Sequence, residues 1–410
     1  MSENAVMLRD PVHGYIKVYD YELDIINTPA FQRLRNIKQL ALTYLVYHGA
    51  EHSRFGHSLG VMHLATKVYD ALLEKHRHDI LKKWTDIEVT RNRMLLRLVA
   101  LLHDVGHPPF SHAGESVFTG TDGHEEYTRR IIDELLRPTI ENRYSKFGIK
   151  TNDVIDFFVR GLGVEAPFIK EIFSGELDVD RMDYLLRDSL MCGVQYGQYD
   201  LERLIHTLCI VKDEQTGTVR LAVEEGGIHS LEALILARYF MFTQVYFYHA
   251  RRIYDLHLAR FLETSDIKPP ADITDYIAWD DIRLMSFMRD RKGDNDHARR
   301  ILDRDSYVYA FQTPEHCSPE QRERFNVLKS EVTHRFSDAG EIIFDAAEKE
   351  PHKFQRTDFP VVLRNRASVV PVTRQSGIIA RLESIRMYRI YVAREHRSAV
   401  GDFASRFWDE

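Results

Sequence analysis

Apolar residues recur at helical spacing through most of the chain. From residue 59, LGVMHLATKVYDALLEKHRH spaces Leu59, Met62, Val68 and Leu72 at helical intervals. TRNRMLLRLVALLHDVGH repeats the pattern with Met94, Leu95, Leu98, Val99 and Leu102, in a helix that Pro108-Pro109 must end or turn. HSLEALILARYFMFTQVYFYHARRIYDLHLARFLET, from residue 229, predicts one or two long buried helices. Alternating patterns are few. TLCIVKDEQTGTVRLAVEE, residues 207 to 225, has apolar arms around a polar turn with Gly217 and reads as a hairpin. FPVVLRN near 359 and SVVPVT near 368 read as short strands. The proline pair in TSDIKPPADI, residues 264 to 273, marks a linker. The predicted class is mostly α: a helical core to residue 265 with a small β-hairpin, then a C-terminal α+β lobe from 266 to 410.

Composition narrows the function classes. The 410 residues are 44% hydrophobic and 29% charged, as in an ordinary globular chain with a large core. No window approaches the roughly 18 apolar residues of a membrane span. MSENAVMLRD lacks a basic patch followed by an apolar stretch, so no secretory signal and a cytoplasmic location are expected. Cys192, Cys209 and Cys317 are too few and scattered for a disulfide framework or a thiolate zinc site. The net charge of −7 argues against broad nucleic-acid binding. Yet residues 351 to 410 carry +5 and the rest −12, and ten of the eleven basic residues in that segment are arginine. A solvated face explains this simply; a surface for phosphates or an acidic neighbouring subunit is the sharper reading.

The chemistry concentrates in LLHDVGHPPFSH, residues 101 to 112, which places His103, Asp104, His107 and His112 straight after an apolar helix. A metal ion needs ligands converging from different parts of the chain. His57, in HSRFGHSLG, and Asp180, in ELDVDRMDYLLRD, are the natural partners for His103 and Asp104. Two histidines and two carboxylates without sulfur suit Mn, Fe, Zn, Co or Mg. An ion with an open position makes its bound water a nucleophile. A His-Asp pair alone is no evidence: His78-Asp79, in charged EKHRHDILKK, reads as a solvated helix end.

HSRFGHSLGV, LLHDVGHPPFSH, GHEEY and LDVDRMDYLLRD, in that order, resemble the HD-domain phosphohydrolases. Within them, the match resembles the deoxynucleoside triphosphate triphosphohydrolases. It begins at DPVHGYI, continues through NTPAFQRLRNIKQLALTYLV and runs to about residue 260. The resemblance implies that residues 1–265 are an HD-domain catalytic core and that 266–410 serve oligomerisation or regulation. It implies a divalent metal on His57, His103, Asp104 and Asp180, and cleavage of dNTPs to deoxynucleoside and inorganic triphosphate. Arg54 would grip phosphate, with His107 and His112 contacting phosphate or relaying protons. His124 would be the general acid or assisting base with Glu115 as partner, where the family prefers aspartate. Tyr184 would pack under the sugar and exclude a 2′-hydroxyl. Gln39 and Asp188 would hold the 3′-hydroxyl, with Leu40, Arg181, Arg238 and Tyr246 completing the substrate site. The plain alternatives are a surface loop for His124, core packing for Tyr184, and an ion pair with Arg187 or Arg203 for Asp188.

Animal members of the family are activated by guanine nucleotides between subunits. Here Asn27 stands where an aspartate reads guanine, while Gln32 and Arg35 remain. An asparagine cannot accept two donors as a carboxylate does, which argues against a guanine-specific activator. The resemblance still implies an activating nucleotide of some kind and a homo-oligomer, dimer or tetramer, with no membrane and no nucleic acid as partner. Two other functions compete: an HD phosphohydrolase for a cyclic dinucleotide, alarmone or monophosphate, and a nucleotide-sensing or nucleic-acid-binding protein.

Overall fold

The structure, a computed structural model, describes residues 4–410 except 119–122, 162–165, 214, 351, 353–358 and 365–367. It opens with an antiparallel hairpin that the apolar pattern did not announce: β1 (Ala5–Asp10) and β2 (Gly14–Tyr19). The Asp10 carboxylate sets the turn by accepting the N–H groups of Val12 and His13, at 2.9 and 3.0 Å. Gly14 closes it at φ +74°, a conformation that side chains resist.

Three helices form the centre: α1 (Arg54–His76), α2 (Asp86–Leu102) and α3 (Val179–Cys192). α2 starts on a capping box in which Thr85 Oγ1 accepts the Glu88 N–H and Glu88 accepts the Thr85 N–H. From Met94 to Leu102 every residue is buried. That stretch crosses the core, which is why it is apolar all round. Its one charge, Arg97, is matched by Glu22 at 2.6 Å. The helix ends at Leu102, ahead of the prolines, in tight turns from Val105 N–H to Leu102 C=O and from His107 N–H to Asp104 C=O. α3 begins where Asp178 accepts the Arg181 N–H at 2.9 Å and ends at Gly193, φ +71°.

The long apolar run after residue 229 is two helices, α4 (Ile228–Met241) and α5 (His249–Thr264), joined by a π turn at Phe242–Tyr246. The anticipated hairpin is β3 (Leu208–Lys212) with β4 (Val219–Glu224). Among the described residues five further strands follow: β5 (Val308–Gln312), β6 (Ile343–Lys349), β7 (Pro360–Val362), β8 (Val369–Pro371) and β9 (Ile385–Val392). The short strands β7 and β8 extend the hairpin into a four-stranded sheet, with β7 parallel to β4. Helix α6 (Asp281–Asp290) lies nearer the centre, while β5, β9 and β6 make an antiparallel sheet whose outer face packs α7 (Pro319–Arg335) and α8 (Arg397–Asp409). The fold is thus mostly α with an α+β C-terminal part. Its main core runs without a break from Ile16 through α1 to α5 and on to Tyr276, Trp279 and Tyr391. Among the described residues no helix is long and apolar enough to cross a membrane.

Candidate active site

α1, the turn after α2 and α3 each deliver side chains to one point. His57 lies one helical turn into α1, His103 and Asp104 leave the end of α2, and Asp180 sits in the first turn of α3. His57 Nδ1–H donates to Asp183 Oδ2 at 2.7 Å, and His103 Nδ1–H donates to the Ala100 carbonyl at 2.8 Å. Each ring therefore turns its Nε2 inward, the nitrogen that would face an ion. His57 Nε2 is 3.0 Å from Asp180 Oδ1 and 3.6 Å from Asp104 Oδ2. His103 Nε2 is 3.2 Å from Asp104 Oδ1 and 3.8 Å from Asp180 Oδ1, buried and without a hydrogen bond. Ligand atoms of His57, His103 and Asp180 lie within 4.8 Å of one another. This donor set fits a divalent ion. Asp104 stands beside it with Oδ2 held by Arg54, whose Nε also donates to Ser111 Oγ at 2.7 Å.

The electrostatics follow from burial and crowding. Burial opposes a charge on His57, yet hydrogen bonds to Asp180 and Asp183 push its pKa up to about 10. Burial would raise Asp104, but Arg54, His103 and His107 hold its carboxyl well below the usual range. Burial lifts Asp178 to about 6, while Asp180, also opposed by burial, is lowered by His57.

A second group borders the first. His124 Nδ1–H donates to Glu115 at 2.5 Å, and His112 Nδ1 lies 3.1 Å from the same oxygen. The His124 ring stacks on His107, with centroids 3.8 Å apart and planes at 17°. His107 Nε2 is in turn 3.4 Å from Asp104. The residues His107, His112, Glu115 and His124 also have ligand atoms within 4.8 Å. An imidazole lone pair lies in the ring plane, so two rings stacked face to face cannot share one ion. The group suits proton transfer instead. Despite burial, His112 and His124 hold the Glu115 carboxyl far below its ordinary range, and burial with the Arg54 charge keeps His107 neutral.

The third group is a wall along α3 and the π turn. Tyr184 and Tyr246 meet edge to face at 6.4 Å. Asp188 Oδ2 accepts from Tyr246 OH, and Oδ1 from His52 Nε2, both at 2.7 Å. Its neighbour Arg187 turns away, toward Asp10 and Asp183. Gln39 Oε1 is buried with no partner. One cavity of about 700 Å³ joins all three groups. Of the anticipated site residues, Gln39, Leu40, Arg54, His103, Asp104, His107, His112, His124, Asp180, Arg181, Tyr184, Asp188, Arg238 and Tyr246 line it. His57 and Glu115 stand just behind its wall. Arg181 is anchored by Asp178 at 3.1 Å. Asn27, Gln32 and Arg35 lie elsewhere: Asn27 is exposed at a helix end, Gln32 bonds the Ile26 carbonyl, and Arg35 reaches Gln32 and lies over the Phe55 ring. His78-Asp79 is exposed, as its context suggested.

Several participants escaped the sequence reading. Asp183 and His52 orient His57 and Asp188. Asp183 was within reach, being three residues after Asp180 and so on a neighbouring helical face. Asp281, at the start of α6, accepts the Lys38 and Phe110 N–H groups and so ties two cavity-lining segments together. Lys349 enters the cavity from β6. Nothing local in the sequence marks either of these.

Helices that converge two histidines and two aspartates beside an imidazole-carboxylate pair define a metal-site hydrolase domain. The chain belongs to the HD-domain phosphohydrolase family: the family model for the HD domain matches residues 54–188, and that for the HD associated region matches 199–409. It is 31% identical to the uncharacterized protein YwfO of Bacillus subtilis, over 92% of this chain and 89% of that one. It is 29% identical to the deoxynucleoside triphosphate triphosphohydrolase SAMHD1 homolog of Dictyostelium discoideum, over 75% of this chain and 60% of that one. Human deoxynucleoside triphosphate triphosphohydrolase SAMHD1 is also 29% identical, over 63% of this chain but only 45% of its own length. Among solved structures, a hypothetical protein from Aquifex aeolicus superposes with a TM-score of 0.81 at 32% identity, covering 97% of this chain and 99% of that one.

Proposed function

We propose that this chain hydrolyses deoxynucleoside triphosphates to deoxynucleoside and inorganic triphosphate. The observation that carries the reading is the single cavity in which the metal-type cluster, the Glu115–His124 pair and the Tyr184–Asp188–Tyr246 wall face one another. The names of the SAMHD1 relatives support it. His57, His103, Asp180 and Asp104 would hold one divalent ion, which supplies Lewis acidity at the α-phosphate and a water nucleophile. Arg54 and Arg181 grip phosphate oxygens, and His112 and His107 border the same face. His124, its Nδ1–H held by the Glu115 anion, hands a proton from Nε2 to the departing 5′-oxygen. Asp188 and Gln39 accept from and donate to the 3′-hydroxyl, and the Tyr184 ring fills the space that a 2′-hydroxyl needs. Leu40, Arg238 and Tyr246 complete the pocket. On this reading residues 1–265 are the catalytic core, residues 266–410 serve assembly and regulation, and the chain acts as a cytoplasmic homo-oligomer. Asn27, Gln32 and Arg35 form part of its activating-nucleotide site.

The test is product analysis with each dNTP, alone and in mixtures, with Mg or Mn, beside His103→Ala. Deoxynucleoside plus inorganic triphosphate, absent in the variant, is expected. Activity only in mixtures would reveal the activator site. No triphosphate from any dNTP would refute the reading and move the search to cyclic dinucleotides, alarmones and monophosphates.

A further inference from the structure

The hairpin at the start of the chain reaches the metal-type cluster through an unbroken line of buried hydrogen bonds. Asp183 Oδ2 accepts from His57 Nδ1 at 2.7 Å and Arg187 Nε at 2.8 Å. Its Oδ1 accepts from Arg187 Nη2 at 2.8 Å and from His13 Nε2 at 2.7 Å. Four donors occupy the roughly four acceptor positions of the carboxylate. Arg187 Nη1 continues the line to Asp10 Oδ2 at 3.0 Å, and Asp10 Oδ1 accepts the His13 N–H. Asp183 is fully buried, and Arg187 and Asp10 are 2% and 6% exposed.

α1 is shaped to admit this network. A Cβ on Gly60, one turn after His57, would sit 1.8 Å from Asp183 Oδ1 and 2.5 Å from Arg187 Nη2. A buried ion network of this kind is a poor source of stability, because apolar residues of similar volume do as well or better. Its geometric product is a fixed orientation for the His57 ring.

The geometry points to Asp10 and His13 as positioning residues that hold His57 in place through Asp183 and Arg187, so that the β1–β2 hairpin and the metal site order one another. This rests on the reading of His57 as a metal ligand. Removing the His13 donor leaves Asp183 with Arg187 as its one remaining support opposite His57, so the carboxylate is held less firmly against the His57 ring. Loss of the direct partner of a ligating histidine weakens metal binding by about 10- to 100-fold, and this range bounds the effect of losing His13, one bond further out.

The experiment titrates metal-free, full-length protein with Co(II) and follows its visible ligand-field absorption, with no turnover involved. His13→Ala is expected to bind Co(II) about 10-fold more weakly, the low end of that range, and to melt lower than the parent because buried Asp183 loses a donor; the metal titration is therefore made well below its melting temperature. His13→Gln, whose amide keeps an N–H to offer Asp183, is expected to regain most of the affinity. In the parent, Co(II) should slow amide hydrogen exchange across residues 5–19, and His13→Ala should lose that protection. His103→Ala separates the two claims. If it binds Co(II) like the parent, the metal-site reading fails and takes this inference with it. If His103→Ala loses Co(II) while His13→Ala binds normally, or if His13→Gln is as weak as His13→Ala, this inference alone is overturned.

Discussion

Asp281 offers a quantitative test, because one buried carboxylate secures two edges of the site. Its Oδ2 accepts the Lys38 N–H at 2.8 Å and its Oδ1 the Phe110 N–H at 2.6 Å. Phe110 and Ser111 both have positive φ, +58° and +54°, so the turn that carries Ser111 to Arg54 is held in a disfavoured conformation. Burial is the dominant influence on Asp281 and pushes its pKa up to about 7, although both backbone donors and Arg33 favour the anion. The folded state thus binds this proton more tightly than the unfolded chain. Stability from that preference is complete below the ordinary aspartate value near 4 and is lost as pH rises through about 7. The whole displacement corresponds to about 4 kcal/mol. The amide that Asp281→Asn introduces cannot ionise, so the variant lacks this pH dependence. It carries instead a constant cost of about 1–3 kcal/mol, since the amide nitrogen accepts nothing from one of the two N–H groups. Urea-unfolding free energies at pH 4.5 and 7.5, followed by tryptophan fluorescence with buried Trp279 two residues away, give the comparison. Part of the loss is already complete at pH 4.5, so the parent's stability relative to Asp281→Asn should fall by about 3 kcal/mol between the two pH values. A difference that stays the same at both would refute the reasoning.

Other consequences are open to direct measurement. Glu115→Ala frees the His124 ring and should lower kcat by about 10²- to 10⁴-fold, while Co(II) binding is unchanged; an equal loss of metal would show that Glu115 belongs to the cluster. On the proposed reading Tyr184→Ala opens space beneath the sugar and should raise ribonucleotide over deoxyribonucleotide turnover by about tenfold, or about 1.4 kcal/mol. If the variant accepts ribonucleotides no better than the parent, Tyr184 is a core residue and not a sugar gate. Leu98→Ala empties a fully buried position on α2 and should cost about 2–5 kcal/mol in a thermal or urea melt, far more than truncation of exposed Ile87 on the same helix.

What could be read from the sequence, and what could not, divides along a physical line. Residues that carry chemistry are few in kind and cluster where an apolar helix ends, so His103, Asp104, His107 and His112 stand out in LLHDVGHPPFSH. α2 is legible for a related reason: it is apolar on every side from Met94 to Leu102 because it crosses the core. The residues that aim the site are ordinary by type. Asp183 differs from any helical aspartate only by what lies across from it, on α1 and in the N-terminal turn. Asp10 and His13 sit in a hairpin whose strand β1 is largely exposed, with only its last residue buried, so its alternation is weak. Arg187 looked like a partner for its neighbour Asp188, but residues adjacent on a helix diverge by about 100° and face different surroundings. It pairs instead with Asp10, far away in the chain. The strand pairings follow the same division. The β3–β4 hairpin is announced by its own turn, whereas the parallel pairing of Val223 with Val361 depends on a return of the chain that no local pattern encodes. Catalytic identity is therefore local information, while catalytic precision is non-local. The DPVHG segment belongs to the second kind: its sequence resembles the family's, but its use emerges only when Asp10 and His13 are seen against Asp183 and Arg187.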